Sequence, residues 1–504
     1  MDLQRKEGYL GNILRHKARL VIQGFCQVHG VDFDETFAPV LSDESLRTLF
    51  HLAVTNNFKL HLLDVNTAFL NAPIDHEVYM SQPRGFEDSN NPNGYCRLRK
   101  SLYGLKQAPY LWHKTIDAFM KSLSFTPSRD PCLYVGNFNG ACVFVGLYVD
   151  DIIVGGTNED AVTNIKSMLK SKFEMTDSGI LDQVLGMRVL QRDDGIFVNQ
   201  EAHILDLLSS TGLSDVEEYD IPMVKGFNPS RELSKPIPES MAKRYHSLVG
   251  GLLFICRYSR PDIAYAVGVL SKYVSNPHWS HWRAAIRVAG YLKKTKNFYL
   301  HFSRGNEESS SRIVVFSDAD LAGDPDTNRS TNGSAVYCGA NLIGWRSKVQ
   351  QTVATSTCEA ELVALSQSAK DGIGMQLLLN DLLLEQLESP FELLCDNKSA
   401  IDVARHPKRY GKLKHVERSH FFVREVLENE KAKLEKVKSD DNIADIFTKP
   451  LGHNKFIPLR SKLKLVDSKA ISSQPSSGSV GPSGFYAKLD EKDVGWMSWI
   501  CTCA

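Results

Sequence analysis

Two adjacent acids, Asp150 and Asp151, separate two apolar runs, residues 143–149 and 152–154. This pattern predicts a buried β-hairpin with two carboxylates at its turn. Asp64 ends a third apolar run earlier in the chain. Like charges in a partly buried site raise each other's pKa unless a cation compensates, and Mg²⁺ prefers carboxylate oxygens. Three carboxylates on neighbouring strands suit two metal ions about 3.5–4 Å apart, as needed for in-line phosphoryl displacement. The simpler alternative is that Asp150 and Asp151 only serve the turn.

Four further acids stand where predicted strands end or predicted helices begin. They are Asp318 after strand 313–317, Glu361 in a helix that begins near Ser356, Asp396 after strand 391–395, and Asp445 at the start of the last helix. Ser356 and Glu359 have capping-box spacing, so we expect Glu359 to satisfy the helix N-terminus. Glu361 lies about 200° further around the helix and is free to face another partner. Asp318 and Asp320 share a strand face.

The composition is that of a folded chain with several domains. Its 504 residues, 42% hydrophobic and 23% charged, suggest about two to four domains. The formal net charge is zero, so nucleic-acid binding would need segregated charge. One basic stretch is either a solvated face or a contact surface, and it contains Arg405, Lys408, Arg409, Lys412, Lys414 and Arg418, opposed by Glu417.

Targeting signals are not evident. The first ten residues are charged and lack the apolar core of a signal peptide, and no apolar run approaches the roughly 20 residues of a membrane span. The ten cysteines contain no C-x-x-C pair, which indicates reduced thiols in an intracellular protein.

The elements that must position these acids follow from the apolar spacing. Residues 8–30 are predicted to form a β-hairpin. Helices are predicted at 46–58, 111–123 and 159–172, a strand at 60–65, and a helical region at 245–300. Segments 214–240 and 303–311 have the composition of linkers, and 472–484 that of a disordered segment.

A series of short motifs runs through the first half of the chain: residues 17–21, 24–25, 30–40, 63–71, 79–80, 82–83, 101–109, 147–151 and 185–187. In this order and spacing they resemble the reverse transcriptases of copia-type LTR retrotransposons. The resemblance implies a right-hand polymerase fold with fingers and palm, within an α/β (α+β) chain. Asp64, Asp150 and Asp151 would bind Mg²⁺, with Mn²⁺ as an alternative. The bound metal would make the primer 3′-hydroxyl a better nucleophile toward the α-phosphate of a dNTP.

The same resemblance implies substrate contacts. Arg19 would bind the triphosphate beside Lys17 on one strand face, because a guanidinium fork suits phosphate; both could instead be ordinary surface charges. Phe69 would lie under the sugar and exclude a ribose 2′-hydroxyl, or it is a core phenylalanine. Tyr103 and Gly104 match the loop that lines the nucleotide pocket. Leu185, Gly186 and Met187 match the hairpin that grips the primer end, although a plain strand-to-strand turn would look much the same.

The second set of acids, in chain order, lies on a strand, a helix, a strand and a helix, which resembles ribonuclease H. The strings at 317–320, 356–361, 395–397 and 444–451 resemble its copia-type branch. The resemblance implies that the four acids (Asp318, Glu361, Asp396 and Asp445) hold two Mg²⁺ ions and activate water against an RNA phosphodiester. The RNA 2′-hydroxyl would distinguish RNA from DNA. Many cellular ribonucleases H carry a histidine shortly before the last acid, whereas residues 421–445 contain none.

We therefore predict four segments. They are reverse transcriptase fingers and palm with a truncated first finger strand (1–225), a helical thumb or connection with a linker (226–312), a ribonuclease H-like mixed α/β domain (313–465), and a disordered tail (466–504). The implied partners are an RNA template, a DNA primer, dNTPs and an RNA–DNA hybrid, without a membrane. The implied location is intracellular, either cytoplasmic in a virus-like particle or nuclear.

Other functions remain as alternatives. The chain could be a catalytically decayed or host-recruited nucleic-acid-binding remnant, which the truncated N-terminus motivates. An intron-encoded maturase is disfavoured by the ribonuclease H-like half. The triplet 177–179 (Asp-Ser-Gly) mimics an aspartic protease motif but lacks the usual small residue after glycine.

Overall fold

The structure is a computed structural model that describes residues 2–7, 13–227, 230, 234–305, 311–384, 387, 390–405 and 417–472. The described residues form two compact units. The first runs to Leu46 and resumes from Phe58 to Leu181, and the second comprises Arg47–Asn57 and the described residues from Asp182 onward. The predicted domain boundaries at 225, 312 and 465 stay predictions.

Several predicted features lie outside the described residues. They are the tail from residue 473, the side chains of Lys17, Arg19, Glu417 and Arg418, and the basic residues Lys408, Arg409, Lys412 and Lys414.

The first unit is mixed α/β, as predicted. In chain order its elements are β1 (Asp2–Glu7), β2 (Ile13–Arg19), α1 (Asp43–Thr55, which continues into the second unit), β3 (Leu60–Val65), β4 (Tyr79–Ser81), β5 (Tyr95–Arg97), α2 (Ala108–Ser122), β6 (Thr126–Pro127), β7 (Leu133–Phe138), β8 (Ala141–Tyr148), β9 (Asp151–Gly156), α3 (Glu159–Lys172) and β10 (Met175–Ile180). Two 3-10 helices, Gly24–Cys26 and Ala68–Asn71, stand between them.

The main sheet of this unit has the strand order β10–β3–β9–β8–β7–β6, and each neighbouring pair is antiparallel. The predicted hairpin is formed by β8 and β9, and Val145, Ile152, Ile153 and Val154 are fully buried in it. Helix α3 packs against both strands. Burial on both faces explains why these strands read as continuous apolar runs rather than as alternating patterns.

The second unit is also mixed α/β. Its elements are β11 (Gln183–Val184), β12 (Met187–Arg192), β13 (Gly195–Asn199), α4 (Glu201–Ser210), α5 (Glu239–Tyr258), α6 (Ala264–Ser271), α7 (Trp279–Lys294), β14 (Phe298–Phe302), β15 (Ile313–Ala319), β16 (Thr331–Cys338), β17 (Asn341–Val349), α8 (Thr357–Leu383), β18 (Phe391–Cys395), α9 (Lys398–Arg405), α10 (Glu417–Glu428), β19 (Ala432–Lys436), α11 (His453–Lys462), β20 (Leu465–Asp467) and α12 (Ser468–Ser472). Two 3-10 helices are Pro261–Ile263 and Ile443–Phe447.

Two five-stranded sheets organise this unit. One has the order β17–β16–β15–β18–β19, in which β15, β16 and β17 are antiparallel neighbours and β18 and β19 continue in parallel. Helix α8 packs on β15, β16 and β18. The other, β11–β12–β13–β14–β20, is antiparallel throughout. None of the helices in the described part of the chain is both long and apolar enough to cross a membrane.

The later turns of α1 belong to the core of the second unit. Arg47 Nη1 donates to the carbonyl of Arg257 at 2.9 Å, and its guanidinium lies 4.0 Å from the centre of the Trp345 ring. The Phe50 and Phe302 ring centres are 5.5 Å apart. This helix is therefore held by residues that come some two hundred or more positions later in the chain.

Two local predictions were wrong. The first hairpin spans β1 and β2, with Asp2 paired to Arg19, rather than residues 8–30. Asn442 opens the short 3-10 helix Ile443–Phe447 rather than the last α-helix. Pro450 follows closely and disfavours helical backbone in the residue before it, so the regular helix begins only at His453.

A buried ion pair links two segments of the second unit. Arg260 Nε and Nη2 donate to the two carboxylate oxygens of Asp262 at 2.9 and 2.7 Å. Nη1 and Nη2 also reach the carbonyl and hydroxyl of Thr295 at 3.0 and 2.6 Å, and the Tyr291 hydroxyl donates to Asp262. Burial alone would raise the pKa of Asp262, but Arg260 holds it below its ordinary value. The network therefore keeps both charges.

Asp262→Ala should destabilise the second unit by about 3–5 kcal/mol, because Arg260 would stay buried without its counter-charge. The measurement is the urea unfolding midpoint of the full chain. Asp220→Ala is the matched control: its carboxylate pairs with Lys294 at 2.8 Å but is 58% exposed, so the change should stay below about 1 kcal/mol. Equal shifts for the two variants would contradict this account.

Candidate active sites

The first group of acids meets at one end of the β3–β9 pair. Asp64 and Asp151 are direct cross-strand partners, and residues opposed in this way have Cβ atoms about 4.5–5.5 Å apart on one face. Asp150 lies beside them in the two-residue turn after Tyr148, which pairs with Asp151. The structure thus brings together all three acids that the sequence singled out.

The turn that carries Asp150 is fixed by backbone contacts. Val149 has a positive φ of 56°, a conformation that is costly for a β-branched residue. Its carbonyl accepts a hydrogen bond from Trp112 Nε1 at 2.7 Å, and the carbonyl of Asp150 accepts from the N–H of Val65 at 2.9 Å. Sequence reasoning missed the role of Trp112, since nothing in the local pattern links α2 to this turn.

The electrostatics of this group favour a bound cation. Burial, with Asp150 and Asp64 adding, raises the pKa of Asp151 to about 7. Asp64 is exposed, so the group opens to solvent on one side. Carboxylate oxygens gathered at an accessible strand end, one of them with a pKa raised by its acidic neighbours, fit a hard divalent ion such as Mg²⁺.

An aromatic pair lies in the same unit. Phe69 is 5% exposed in the 3-10 helix Ala68–Asn71, and its ring centre is 4.6 Å from that of Tyr103. Gly104 has a φ of 96°, and a Cβ there would lie 2.1 Å from the carbonyl oxygen of Ile22. Only glycine fits at that point, where Ile22 N–H donates to the carbonyl of Tyr103 at 2.9 Å. The structure therefore brings together Phe69, Tyr103 and Gly104.

The Leu185–Gly186 step is a tight hairpin turn in the second unit. Val184 pairs with Met187 on β11 and β12. Leu185 and Gly186 have φ values of 49° and 69°, which suit a two-residue turn with positive φ at both positions. The strand-to-strand turn that the sequence allowed is thus present, and Met187 is buried.

The second group of acids is drawn from four segments of the second unit. Asp318 lies near the end of β15, Glu361 in the first turns of α8, Asp396 directly after β18, and Asp445 in the 3-10 helix. Oxygen atoms of Glu361 and Asp396 and the sulfur of Cys395 lie within 4.8 Å of one another. Asp318 and Asp445 lie near enough to raise the pKa of Glu361, and these two acids share a lysine.

That lysine is Lys449. Its ammonium lies 2.5 Å from Asp445 Oδ1 and 3.5 Å from Asp318 Oδ2. Thr448 donates to Asp318, and Lys455 pairs with the other oxygen of Asp445. Sequence reasoning assigned no role to either lysine. The available signal was that Lys449 stands four residues after Asp445, the spacing of helical neighbours.

The side chains of the two glutamates of α8 face different partners, as predicted. Ser356 caps the helix by accepting from the N–H of Glu359 at 3.2 Å. The Glu359 carboxylate accepts from the N–H and hydroxyl of Thr355, both at 2.7 Å. Glu361 points elsewhere, into the group that contains Asp318 and Asp396.

Burial dominates the ionisation of this group. It raises the pKa of Glu361 to about 9, with Asp318 and Asp396 adding, and raises the pKa of Asp318 to about 7. For Asp445 burial is outweighed by Lys449 and Lys455, which lower its pKa. Burial also raises the pKa of the Cys395 thiol, so Cys395 stays protonated and only the carboxylate oxygens suit Mg²⁺.

Glu361→Gln should raise the Tm of the metal-free chain at pH 8. The raised pKa of Glu361 means that the folded chain keeps a proton which the unfolded chain releases between its ordinary pKa of 4.5 and about 9. The unfolding free energy therefore falls as pH rises through this range. Each kcal/mol of unfolding free energy that the substitution restores should raise Tm by about 2–4 °C.

The measurement is thermal unfolding in EDTA at pH 5 and pH 8. Glu428→Gln, an exposed residue paired with Arg424, should leave Tm unchanged at both. Millimolar Mg²⁺ should raise the Tm of the wild-type chain more than it raises the Tm of the Glu361→Gln variant. A lower Tm for Glu361→Gln at pH 8 in EDTA would show that burial does not strain this carboxylate.

Residues 4–225 match the family model described as reverse transcriptase (RNA-dependent DNA polymerase). The chain is 36% identical over 452 residues to the retrovirus-related Pol polyprotein from transposon TNT 1-94 of Nicotiana tabacum, which covers 88% of this chain and 34% of that protein. It is 34% identical over 454 residues to the corresponding polyprotein from transposon RE1 of Arabidopsis thaliana, covering 90% and 30%.

Among solved structures, the N-terminal RNase H domain of a Mycobacterium tuberculosis protein, fused to maltose binding protein, covers 30% of this chain and 98% of that chain at 12% identity. Its TM-score of 0.20 is too low to carry weight. The chain spans about a third of the length of the two polyproteins. Over about nine tenths of its length, the chain is similar to the Pol polyproteins of retrotransposons.

Proposed function

We propose that this chain is an RNA-directed DNA polymerase that copies retrotransposon RNA into cDNA and also cleaves the RNA strand of RNA–DNA hybrids. The observation that carries the proposal is the direct pairing of Asp64 with Asp151, beside Asp150. The fold that we propose for the first unit is the fingers and palm of a right-hand polymerase. The substrates would be an RNA template, a DNA primer, dNTPs and the resulting hybrid.

In the polymerase site, Asp64, Asp150 and Asp151 would hold the metal ions. Bound Mg²⁺, or Mn²⁺, would stabilise negative charge on the phosphates and lower the pKa of the attacking hydroxyl or water in both sites. Phe69, backed by Tyr103 and Gly104, would lie under the sugar of the incoming nucleotide. Lys17 and Arg19 would contact the triphosphate of the nucleotide. Leu185, Gly186 and Met187 would contact the primer end.

In the nuclease site, Asp318, Glu361, Asp396 and Asp445 would hold the metal ions that serve RNA hydrolysis. Lys449 touches Asp318 and Asp445, and it keeps these two carboxylates close together by charge. Thr448 fixes the orientation of Asp318. The Glu359–Thr355 contacts fix the start of α8 and thereby the position of Glu361.

Asp150→Asn should reduce the rate of primer extension on poly-rA with oligo-dT by about 100-fold or more, because one metal-binding charge is lost. Cleavage of a preformed hybrid should persist, since the second group of acids is intact. The control Asp160→Asn changes an exposed acid in the first turn of α3 and should leave extension unchanged. If the folded wild-type chain neither extends nor cleaves, the decayed, nucleic-acid-binding remnant becomes the better interpretation.

Asp396→Asn should have the converse effect. Hybrid cleavage, followed with labelled RNA, should fall by about 100-fold or more while primer extension persists. Asp326→Asn, an exposed acid of the same unit, serves as the control. Loss of both activities in Asp396→Asn would argue against two independent sites.

A further inference from the structure

Two stretches of backbone touch beside the aromatic pair of the first unit. Residues 22–33 lie against the loop 103–107, and both stretches belong to this unit. A Cβ at Gly24 would lie 1.8 Å from the carbonyl oxygen of Gly104, so the two backbones are in direct contact. The loop carries one ring of the aromatic pair. The contacts that hold residues 22–33 against the loop therefore also bear on the proposed nucleotide pocket.

Gln27 is the side chain that joins the two stretches. Its Nε2 donates to Oε1 of Gln107 at 2.9 Å, and its Oε1 accepts from the N–H of Lys106 at 2.8 Å. Its backbone carbonyl also accepts from Lys106 Nζ at 3.1 Å. A primary amide carries a donor and an acceptor side by side, and Gln27 uses both on consecutive residues of the loop. Neither an apolar side chain nor a carboxylate could make both side-chain contacts.

Gln107 extends this contact into the interior of the unit. Its side chain is fully buried, and its Nε2 donates to the carbonyl of Asp32 at 2.8 Å. The loop is therefore bound to residues 22–33 at two further points, the Gln27 amide and the Asp32 carbonyl. Removal of the Gln27 amide would leave the buried Gln107 oxygen without this donor, which is costly for a group that is shielded from water.

The loop also touches the groups proposed for nucleotide binding and for catalysis. The Tyr103 ring centre is 4.6 Å from that of Phe69. Helix α2 begins directly after Gln107, and Trp112 in its second turn donates to the Val149 carbonyl at 2.7 Å. That carbonyl lies in the turn between β8 and β9. A displacement of the loop would therefore act first on the aromatic pair, which packs on it directly.

We propose that Gln27 is a positioning residue for sugar selection: it holds the loop 103–107 against Phe69 and so keeps the pocket closed to a ribose 2′-hydroxyl. The inference rests on the proposed polymerase function and on the proposed place of Phe69 under the sugar. Gln27 acts through the loop, because its side chain binds Lys106 and Gln107. Without its amide, the Gln107 oxygen and the Lys106 N–H each lose a partner, and the loop is free to move away from Phe69.

Primer extension by the full chain on poly-rA with oligo-dT tests the proposal, with either dTTP or UTP as the only nucleotide. Gln27→Leu should raise the KM for dTTP by about 5-fold and lower the preference for dTTP over UTP, as the ratio of kcat/KM values, by about 10-fold, because two hydrogen bonds that hold the loop are lost. The kcat for dTTP should stay within about 2-fold, since the three acids are untouched. A fall in kcat alone, with KM and preference unchanged, would overturn the proposal.

Two further variants sharpen the comparison. Gln23→Leu is the matched control, because Gln23 is exposed and its side chain makes no capping hydrogen bond to the 3-10 helix that follows it; KM and preference should stay at wild-type values. Gln27→Glu matches glutamine in shape but cannot donate to Gln107, and it should lose preference as Gln27→Leu does. If Gln27→Glu behaves like wild type, packing rather than hydrogen bonding holds the loop and the proposal is wrong. Gln27→Glu also carries the test if Gln27→Leu fails to fold.

Amide hydrogen exchange of the loop 103–107, read by mass spectrometry, separates this inference from the polymerase function. Gln27→Leu should speed exchange of the Lys106 N–H by about 10-fold, because its acceptor is lost, whereas Gln23→Leu should leave it unchanged. Unchanged exchange in a Gln27→Leu chain that still extends primers would reject the role of Gln27 alone. Faster exchange in a chain whose wild type never extends primers would reject the polymerase function, and sugar selection with it.

Discussion

Burial of carboxylates at the ends of apolar strands is the constraint on which both candidate sites depend. An apolar strand can be buried on both faces, and the residue at its end is then the first that can be polar. In the first unit this places Asp64 and Asp151 opposite each other. In the second it places Asp318 and Asp396 at the ends of two adjacent parallel strands. The acids lie close together because the strands do. The cost of burying their negative charges appears as the raised pKa values of Asp151, Asp318 and Glu361.

The two units meet this constraint in different ways. The first exposes Asp64 and anchors the turn before Asp151 through the Val149 carbonyl and Trp112. The second buries its acids more deeply and places Lys449 and Lys455 among them. The ammonium groups offset part of the negative charge of Asp318 and Asp445, whereas burial and the neighbouring acids give Glu361 the most strongly raised pKa of the four acids.

The parts of the sites that sequence predicted are those that one short segment determines. The hairpin around Asp150 follows from two apolar runs, and the separate directions of Glu359 and Glu361 follow from helical spacing. Lys455 and Trp112 were missed because their contacts depend on how separate elements pack, whereas the four-residue spacing of Lys449 from Asp445 was a local signal that went unused. The late start of α11 was missed because Asn442 caps a 3-10 helix as readily as an α-helix. The resemblance to reverse transcriptases supplied the roles, and the packing that brings Phe69 against Tyr103 came only from the structure.

The division of α1 between the two units has a consequence for synthesis on the ribosome. Phe50 packs against Phe302, and Arg47 reaches the carbonyl of Ile343, 296 positions later. At about 5–20 residues per second, roughly 13–50 s pass between the making of Phe50 and of Phe302. During that interval Phe50, which is buried in the finished protein, lacks its contact with the Phe302 ring. The native contact of this helix with Phe302 can therefore form only after about half of the chain has been made.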